Sequence, residues 1–343
     1  MIFVCSPKIT QTNDVHVFYD RCQNRWENQM NHDSRFFYKY MTAETALLIL
    51  QNRTLKYSSP VLFNDPFDVQ TTVSYGFTLA EYDNAFREEL IRFVQSDKEP
   101  VCLNPKSFFD DLILLRRMNK IRPILSIEQP GKNLQPFVNT WTVQMENMLK
   151  DLNVQFQRAV KASRVFCVAE EPDNLLMWAH YSKDHSGVVL EFECLEEWDF
   201  PLWAARKVMY VDTPPVLAEL DEILKSQTGE GSPNDYTHFF SDMYLSKSRH
   251  WEYEKEWRVF IPPDDIMNPI VPTDKDGKEI LVDFLRLHPQ ELSAIYFGCK
   301  IDPNDRKKME EYLVGELGHV KRYNAIRNER EYKLDCVLCS EKR

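Results

Sequence analysis

The sequence predicts an α+β fold built on a mixed or antiparallel sheet with a helical insertion. Three observations carry that expectation. Short strand-like runs alternate with helical periods irregularly, without the steady rhythm of βαβ units. Residues 104–163 are helical in character over an unusually long span, with Phe137, Trp141, Met145, Met148, Leu152, Phe156 and Val160 stepping by threes and fours. Finally, there is no internal repeat or low-complexity tract to suggest a solenoid or array.

Taken in order, residues 1–35 are polar and irregular and read as an N-terminal arm. Residues 36–103 read as the first part of the α+β domain. Here "RFFYKYM" (35–41) is a strand, Thr42 caps the helix "AETALLILQN", and "TLKYS" is a second strand. "SPVLFNDPFD" is a loop, because Pro60 and Pro66 forbid regular structure and Asn-Asp-Pro is turn chemistry. Residues 78–96 repeat apolar positions at Leu79, Tyr82, Phe86, Leu90 and Phe93, a helical period. After the insertion, residues 164–343 read as the remainder of the domain. "RVFCVAE" is a strand, Asp173 caps the short helix "NLLMWAHYS", "KDHSG" turns, and "VVLEFE" and "KVMYV" are strands. A loop at 226–235 precedes the helix "YTHFFSDMYLSKS". Strands near "KEILVDFL" and "LSAIYFG", a helix over 302–317 and strands near "HVKRYNAI" and "YKLDCVL" complete the reading.

Composition excludes several classes. The 343 residues are 43% hydrophobic and 28% charged, long enough for one large core or two modest ones. The net charge of −11 argues against a broadly basic nucleic-acid footprint; "RRMNKIR" (116–122) is either a local basic patch or, the favoured reading, a solvated helix end. No stretch approaches the ~20 apolar residues of a membrane span, and the start has no signal-peptide core, so the expected location is the cytoplasm with no membrane partner. Eight scattered cysteines fit reduced thiols, and the lone C-x-x-C at Cys336 and Cys339 lacks the second ligand pair a structural zinc wants. No metal is expected. Gly-rich dinucleotide and P-loop motifs are absent.

Three stretches could carry chemistry. "NDPFD" (64–68) sets Asn64, Asp65 and Asp68 in a Pro-stiffened loop, which is either a self-bonded turn or a pocket lining. "MWAHYSKDHSG" (177–187) gathers Trp178, His180, Tyr181 and His185; these are either satisfied structural groups or one cleft with two imidazoles. "HWEYEKEWRVF" (250–260), read as a strand, puts Glu252, Glu254, Glu256 and Arg258 on one face and Trp251, Tyr253 and Trp257 on the other. Three carboxylates do not suit a core face. That face either lines a cleft, with Glu256 reaching furthest in, or meets solvent with its glutamates paired to Lys247 and Arg258.

The blocks "FYKYM", "FNDPFD", "CVAEEPDNLLMWAHYSKDHSGVVLEFE" and "KSRHWEYEKEWRVF", in this order over about residues 36–335, resemble an uncharacterised prokaryotic family, a domain of unknown function. Separately, "YKYMTAETALLILQNRTLKYS" resembles the first strand and helix of the ADP-ribosyltransferase fold, with Tyr40 standing where that superfamily places His. Glu254-Lys255-Glu256 is similar to its E-x-E strand motif, whose second acid is catalytic. The resemblance implies a curved sheet and an NAD-consuming enzyme, a transferase or glycohydrolase acting as a toxin or antiviral defence effector, with NAD as substrate. Glu256, Glu254 and His180 are then the catalytic candidates. Lys39, Tyr40, Asn64, Trp178, Tyr181, His185 and Arg258 are the candidates for holding the nucleotide. A macromolecular acceptor, protein or nucleic acid, and a regulatory protein partner fit the same reading. Two alternatives stay open: a non-catalytic sensor or partner-binding module on the same fold, and a metal-dependent nuclease or hydrolase using the "NDPFD" carboxylates and His180.

Overall fold

The computed structural model describes residues 34–95, 117, 134–195, 201–228, 237–261 and 270–339. The arm assigned to residues 1–35 therefore lies almost wholly outside the described residues, as do most of the stretch 104–133 and residues 229–235 of the loop 226–235. The strands are β1 (Phe36–Met41), β2 (Thr54–Ser58), β3 (Arg164–Ala169), β4 (Val188–Glu193), β5 (Arg206–Lys207), β6 (Met209–Val211), β7 (Ser246–Ser248), β8 (Glu256–Ile261), β9 (Val282–Arg286), β10 (Leu292–Phe297), β11 (Lys321–Arg327) and β12 (Leu334–Leu338). The helices are α1 (Ala43–Asn52), α2 (Leu79–Gln95), α3 (Gln135–Ala162), α4 (Leu175–Tyr181), α5 (Leu220–Thr228), α6 (Thr237–Leu245) and α7 (Pro303–Tyr312).

The protein is α+β with a mixed sheet. Among the described residues ten strands join in one sheet, ordered β12-β11-β10-β4-β1-β3-β2-β9, with β8 beside β3 and β5 beside β8. The β10–β11 pair is parallel and the other pairs of this sheet are antiparallel. β6 and β7 form a separate parallel pair.

The described residues fall into two compact units. One comprises 72–95, 134–157, 215–228 and 237–243. Its core is aromatic: Tyr82, Phe86, Leu90 and Phe93 line one stripe of α2, and Tyr82 stacks on Phe86 with ring centroids 5.1 Å apart. Asn153 of α3 closes on the Val73 backbone with both its amide atoms, at 2.8 and 2.9 Å.

The other unit holds the large sheet. Period-2 alternation sends Phe37 and Met41 of β1, Phe166 and Val168 of β3, and Leu190 and Phe192 of β4 to one face, where they bury together with α1 residues Ala46, Ile49 and Leu50. α1 forms where the period predicts it: Thr42 accepts from the Thr45 backbone N–H as its cap, and Arg53 ends it at φ +55°. The opposite face carries Tyr40, Ala169, Val189, Ala294 and Tyr296, with α4 residues Met177 and Trp178 packed on them.

Two local expectations change. Asn174, not Asp173, caps α4, accepting from the backbone N–H groups of Leu176 and Met177, because the helix starts one residue later. The stretch 249–254 is not a strand. It winds as a 3-10 turn, Lys255 reverses at φ +45°, and β8 begins only at Glu256.

Candidate functional site

The 3-10 turn and the left-handed Lys255 undo the simple alternation of Glu252, Glu254 and Glu256. Glu252 stays exposed, while Glu254 and Glu256 fold toward one another and are 4% and 5% exposed. Between them lies the ammonium of Lys247, delivered from β7. Its Nζ donates to Glu254 and, at 2.7 Å, to Glu256, and lies 3.5 Å from Asp68. Arg258, fully buried two residues along β8, donates through Nε to Glu256 at 2.8 Å and through Nη2 to Asp68 at 2.7 Å. Its Nη1 donates to the Tyr244 carbonyl at 2.9 Å. Three carboxylates and two cations therefore share one buried network.

Burial alone would lift the Glu256 carboxyl, but Arg258 and Lys247 more than reverse this and hold it well below the usual carboxylate range. Burial likewise opposes the charge of Lys247, and Glu256, Glu254 and Asp68 together still raise its pKa above the ordinary lysine value. Asp68 and Glu254 go the other way: for both, burial raises the pKa and their cations only partly offset it. Oδ1 of Asp68 is buried without a hydrogen-bond partner. The network thus holds one firmly ionised acid beside two that protonate more readily.

Aromatic groups enclose it. The Tyr181 hydroxyl donates to Glu254 at 2.6 Å, and the Tyr210 hydroxyl accepts from the Glu256 backbone N–H at 2.8 Å. Lys247 lies 5.2 Å from the Trp251 ring centre and Arg258 5.6 Å from that of Phe63, within cation–π range. The "NDPFD" loop supplies Asp68 and is also a self-bonded turn, since Oδ1 of Asp65 accepts from the Phe67 backbone N–H at 2.9 Å.

Not every sequence candidate arrives here. Glu254, Glu256, Arg258 and Tyr181 do, and Asn64 reaches Tyr181 with its side chain. Tyr40 shares the sheet face of Glu256, through the registers Tyr38–Ala169 and Ala169–Glu256, but its hydroxyl is engaged by the Glu171 carbonyl and the Asn174 N–H. Trp178 is fully buried between Tyr40, at 5.7 Å, and the His185 ring, at 6.4 Å. His185 sits on a left-handed run, Lys183 to His185, that ends the α4 turn. These three make an aromatic column that fixes α4 on the sheet. His180 is exposed, against Tyr181 and Tyr253, so the two imidazoles do not share one cleft with Glu256. Lys39, a candidate for holding the nucleotide, falls on the opposite sheet face from Glu256, over the Phe166 ring, with its ammonium on the Cys167 carbonyl.

The sequence pattern points to Lys247 only as a surface partner of the glutamates, to Asp68 only as a pocket-lining or nuclease carboxylate, and not to Tyr210 at all. The signal for Lys247 is its spacing of seven and nine residues from two glutamates within one block. Cys336 is half-buried with its thiol pushed up to about 11 by burial, and Cys339 accepts from Arg306. Among the described residues no group of three or more metal-ligand side chains is placed to hold an ion. Among the same residues no helix is long and apolar enough to cross a membrane.

Two of the four ordered blocks, around α4 and around Lys247–Arg258, overlap one matched segment. Residues 177–259 match the family described as a protein of unknown function (DUF2971). The matched segment brings Tyr181, Tyr210, Lys247, Glu254, Glu256 and Arg258 to the network, while Asp68 comes from outside it. No curated protein and no solved structure matches the chain.

Proposed function

We propose that the chain is an NAD-consuming enzyme of ADP-ribosyltransferase type, a cytoplasmic toxin or phage-defence effector, with Glu256 as its catalytic carboxylate and a sheet of the corresponding curved kind. The observation that carries the reading is the network itself. Five buried charges contribute little net stability to a scaffold, because desolvation offsets their attraction, and strongly perturbed acids gather at working sites. Cleaving the nicotinamide–ribose bond develops oxocarbenium character, which a carboxylate opposes only while ionised. Arg258 and Lys247 keep Glu256 in that form. Glu256 would accept from a ribose hydroxyl, Tyr181 or Trp251 would stack on the nicotinamide ring, and Lys247 and Arg258 would meet the pyrophosphate once Glu254 gives way. A macromolecular acceptor and a regulatory partner belong to the same proposal.

One observation favours a second reading, a non-catalytic binding module. Both Glu256 oxygens are already taken by cations. The nuclease reading has less support, since the point where the three carboxylates converge is occupied by the Lys247 ammonium. Incubating the purified protein with NAD and measuring free nicotinamide separates the first two. The enzyme reading expects release that falls about 10²–10³-fold in Glu256→Gln. Absence of release by the wild type, with and without candidate acceptors, would leave the binding module.

A further inference from the structure

A second buried carboxylate on the same sheet face takes no part in that chemistry. Glu191 lies in β4, 9% exposed, three strand spacings from Glu256, or about 14 Å. Its partners are hydroxyls. Ser293 donates to Oε1 at 2.7 Å and Tyr296 to Oε2 at 2.6 Å, and Tyr38 stands directly across from Glu191 in the β1–β4 register. Among the described residues it makes no ion pair, and the nearby Arg35 pairs with Glu193 instead. Two hydroxyls fill two of the roughly four acceptor positions of a carboxylate and supply no opposite charge.

The surroundings suit an organic cation. The Tyr38 ring stands edge-on to Tyr296 at 6.1 Å and is only partly buried. Tyr296 and Tyr323 stack at 4.6 Å, too close for a group to enter between them, so approach to the carboxylate is from the Tyr38 side. The cross-strand neighbours there are small: Ala294 beside Glu191 and Ala169 beside Tyr38. Ring faces next to an anion attract ammonium groups twice over, by charge and by the ring quadrupole.

We propose that Glu191, walled by Tyr38 and Tyr296, is a binding site for a small ligand carrying an alkylammonium group. The site is independent of the NAD reading, and its test contains no NAD. Tetramethylammonium chloride is titrated into the full chain by calorimetry, with sodium chloride at equal ionic strength and tert-butanol as the neutral counterpart. Saturable binding of tetramethylammonium alone is expected, weakened at least tenfold in Glu191→Gln and several-fold in Tyr38→Leu. Should Glu191→Gln fail to fold, Tyr38→Leu, with its fold checked by circular dichroism, carries the comparison. Heat that does not saturate, equal binding of sodium or tert-butanol, or unchanged affinity in whichever variants fold would overturn the proposal.

Discussion

Glu256 and Glu191 are the same residue type, on the same face of the same sheet, and nearly equally buried. Their compensation differs completely. Glu256 is held by a guanidinium and an ammonium, and Glu191 by two hydroxyls. The difference teaches that burial alone does not define a buried acid; its partners decide whether removing its charge is ruinous or mild. For Glu256 the loss strands two cations, whereas for Glu191 it strands only hydroxyls that a neutral amide still satisfies.

The largest effect should come from breaking the Glu256 side at its centre. Lys247→Met leaves Asp68, Glu254 and Glu256 facing one another with only Arg258, and should cost about 3–5 kcal/mol in denaturant unfolding at neutral pH. The loss should shrink as pH falls, because the raised pKa values of Asp68 and Glu254 make them take up protons before ordinary carboxylates do. A loss that is independent of pH would mean that packing, not charge, is what Lys247 supplies.

The turn that presents Tyr181 comes next. A Cβ on Gly187 would lie 2.1 Å from the Met41 carbonyl oxygen, a backbone atom of β1 that cannot swing aside. Gly187→Ala should therefore cost about 1–3 kcal/mol, read as a drop in melting temperature. An unchanged melting temperature would show that this turn is looser than its contacts imply.

A third acid sharpens the comparison through its pH dependence. Glu291 has no cation among its hydrogen-bond partners, and burial pushes it up to about 7 even though its Oε2 accepts from the His288 N–H. Its folded pKa exceeds the unfolded value. Its contribution is therefore fully present below about pH 4.5 and is lost as pH rises through about 7. Glu291→Gln should flatten the stability profile across that window by at least about 1 kcal/mol. Glu256 has the opposite sign: its folded pKa is depressed, so its contribution is present above the ordinary carboxylate range and is lost only at acid pH. The smallest effect should be that of Glu252→Gln, within about 0.5 kcal/mol, because that side chain is exposed.

Much of the sheet unit was legible because local rules and tertiary context agree there. Thr42 and the α1 period fix one helix, and "TLKYS" and "VVLEFE" become β2 and β4 with the bounds their sequences suggest. The site stretch was not, for a physical reason. "HWEYEKEW" alternates polar and aromatic residues as a strand does, yet a 3-10 turn ending in a left-handed Lys255 brings Glu254 and Glu256 onto one ammonium. Periodicity reports which residues are apolar, not which charge lies across the fold, so Lys247 and Asp68 were invisible as centres. His180 and Lys39 were misplaced for the converse reason: the residue types suit chemistry, but helix phase and strand parity turn them away.

The most direct test of this contrast is a side-by-side measurement of unfolding free energy for Glu256→Gln and Glu191→Gln in denaturant at pH 7. The account predicts a loss of about 3–5 kcal/mol for the first, because it strands Lys247 and Arg258, and a change within about 1 kcal/mol for the second. Equal losses for the two variants, or a larger loss for Glu191→Gln, would contradict it.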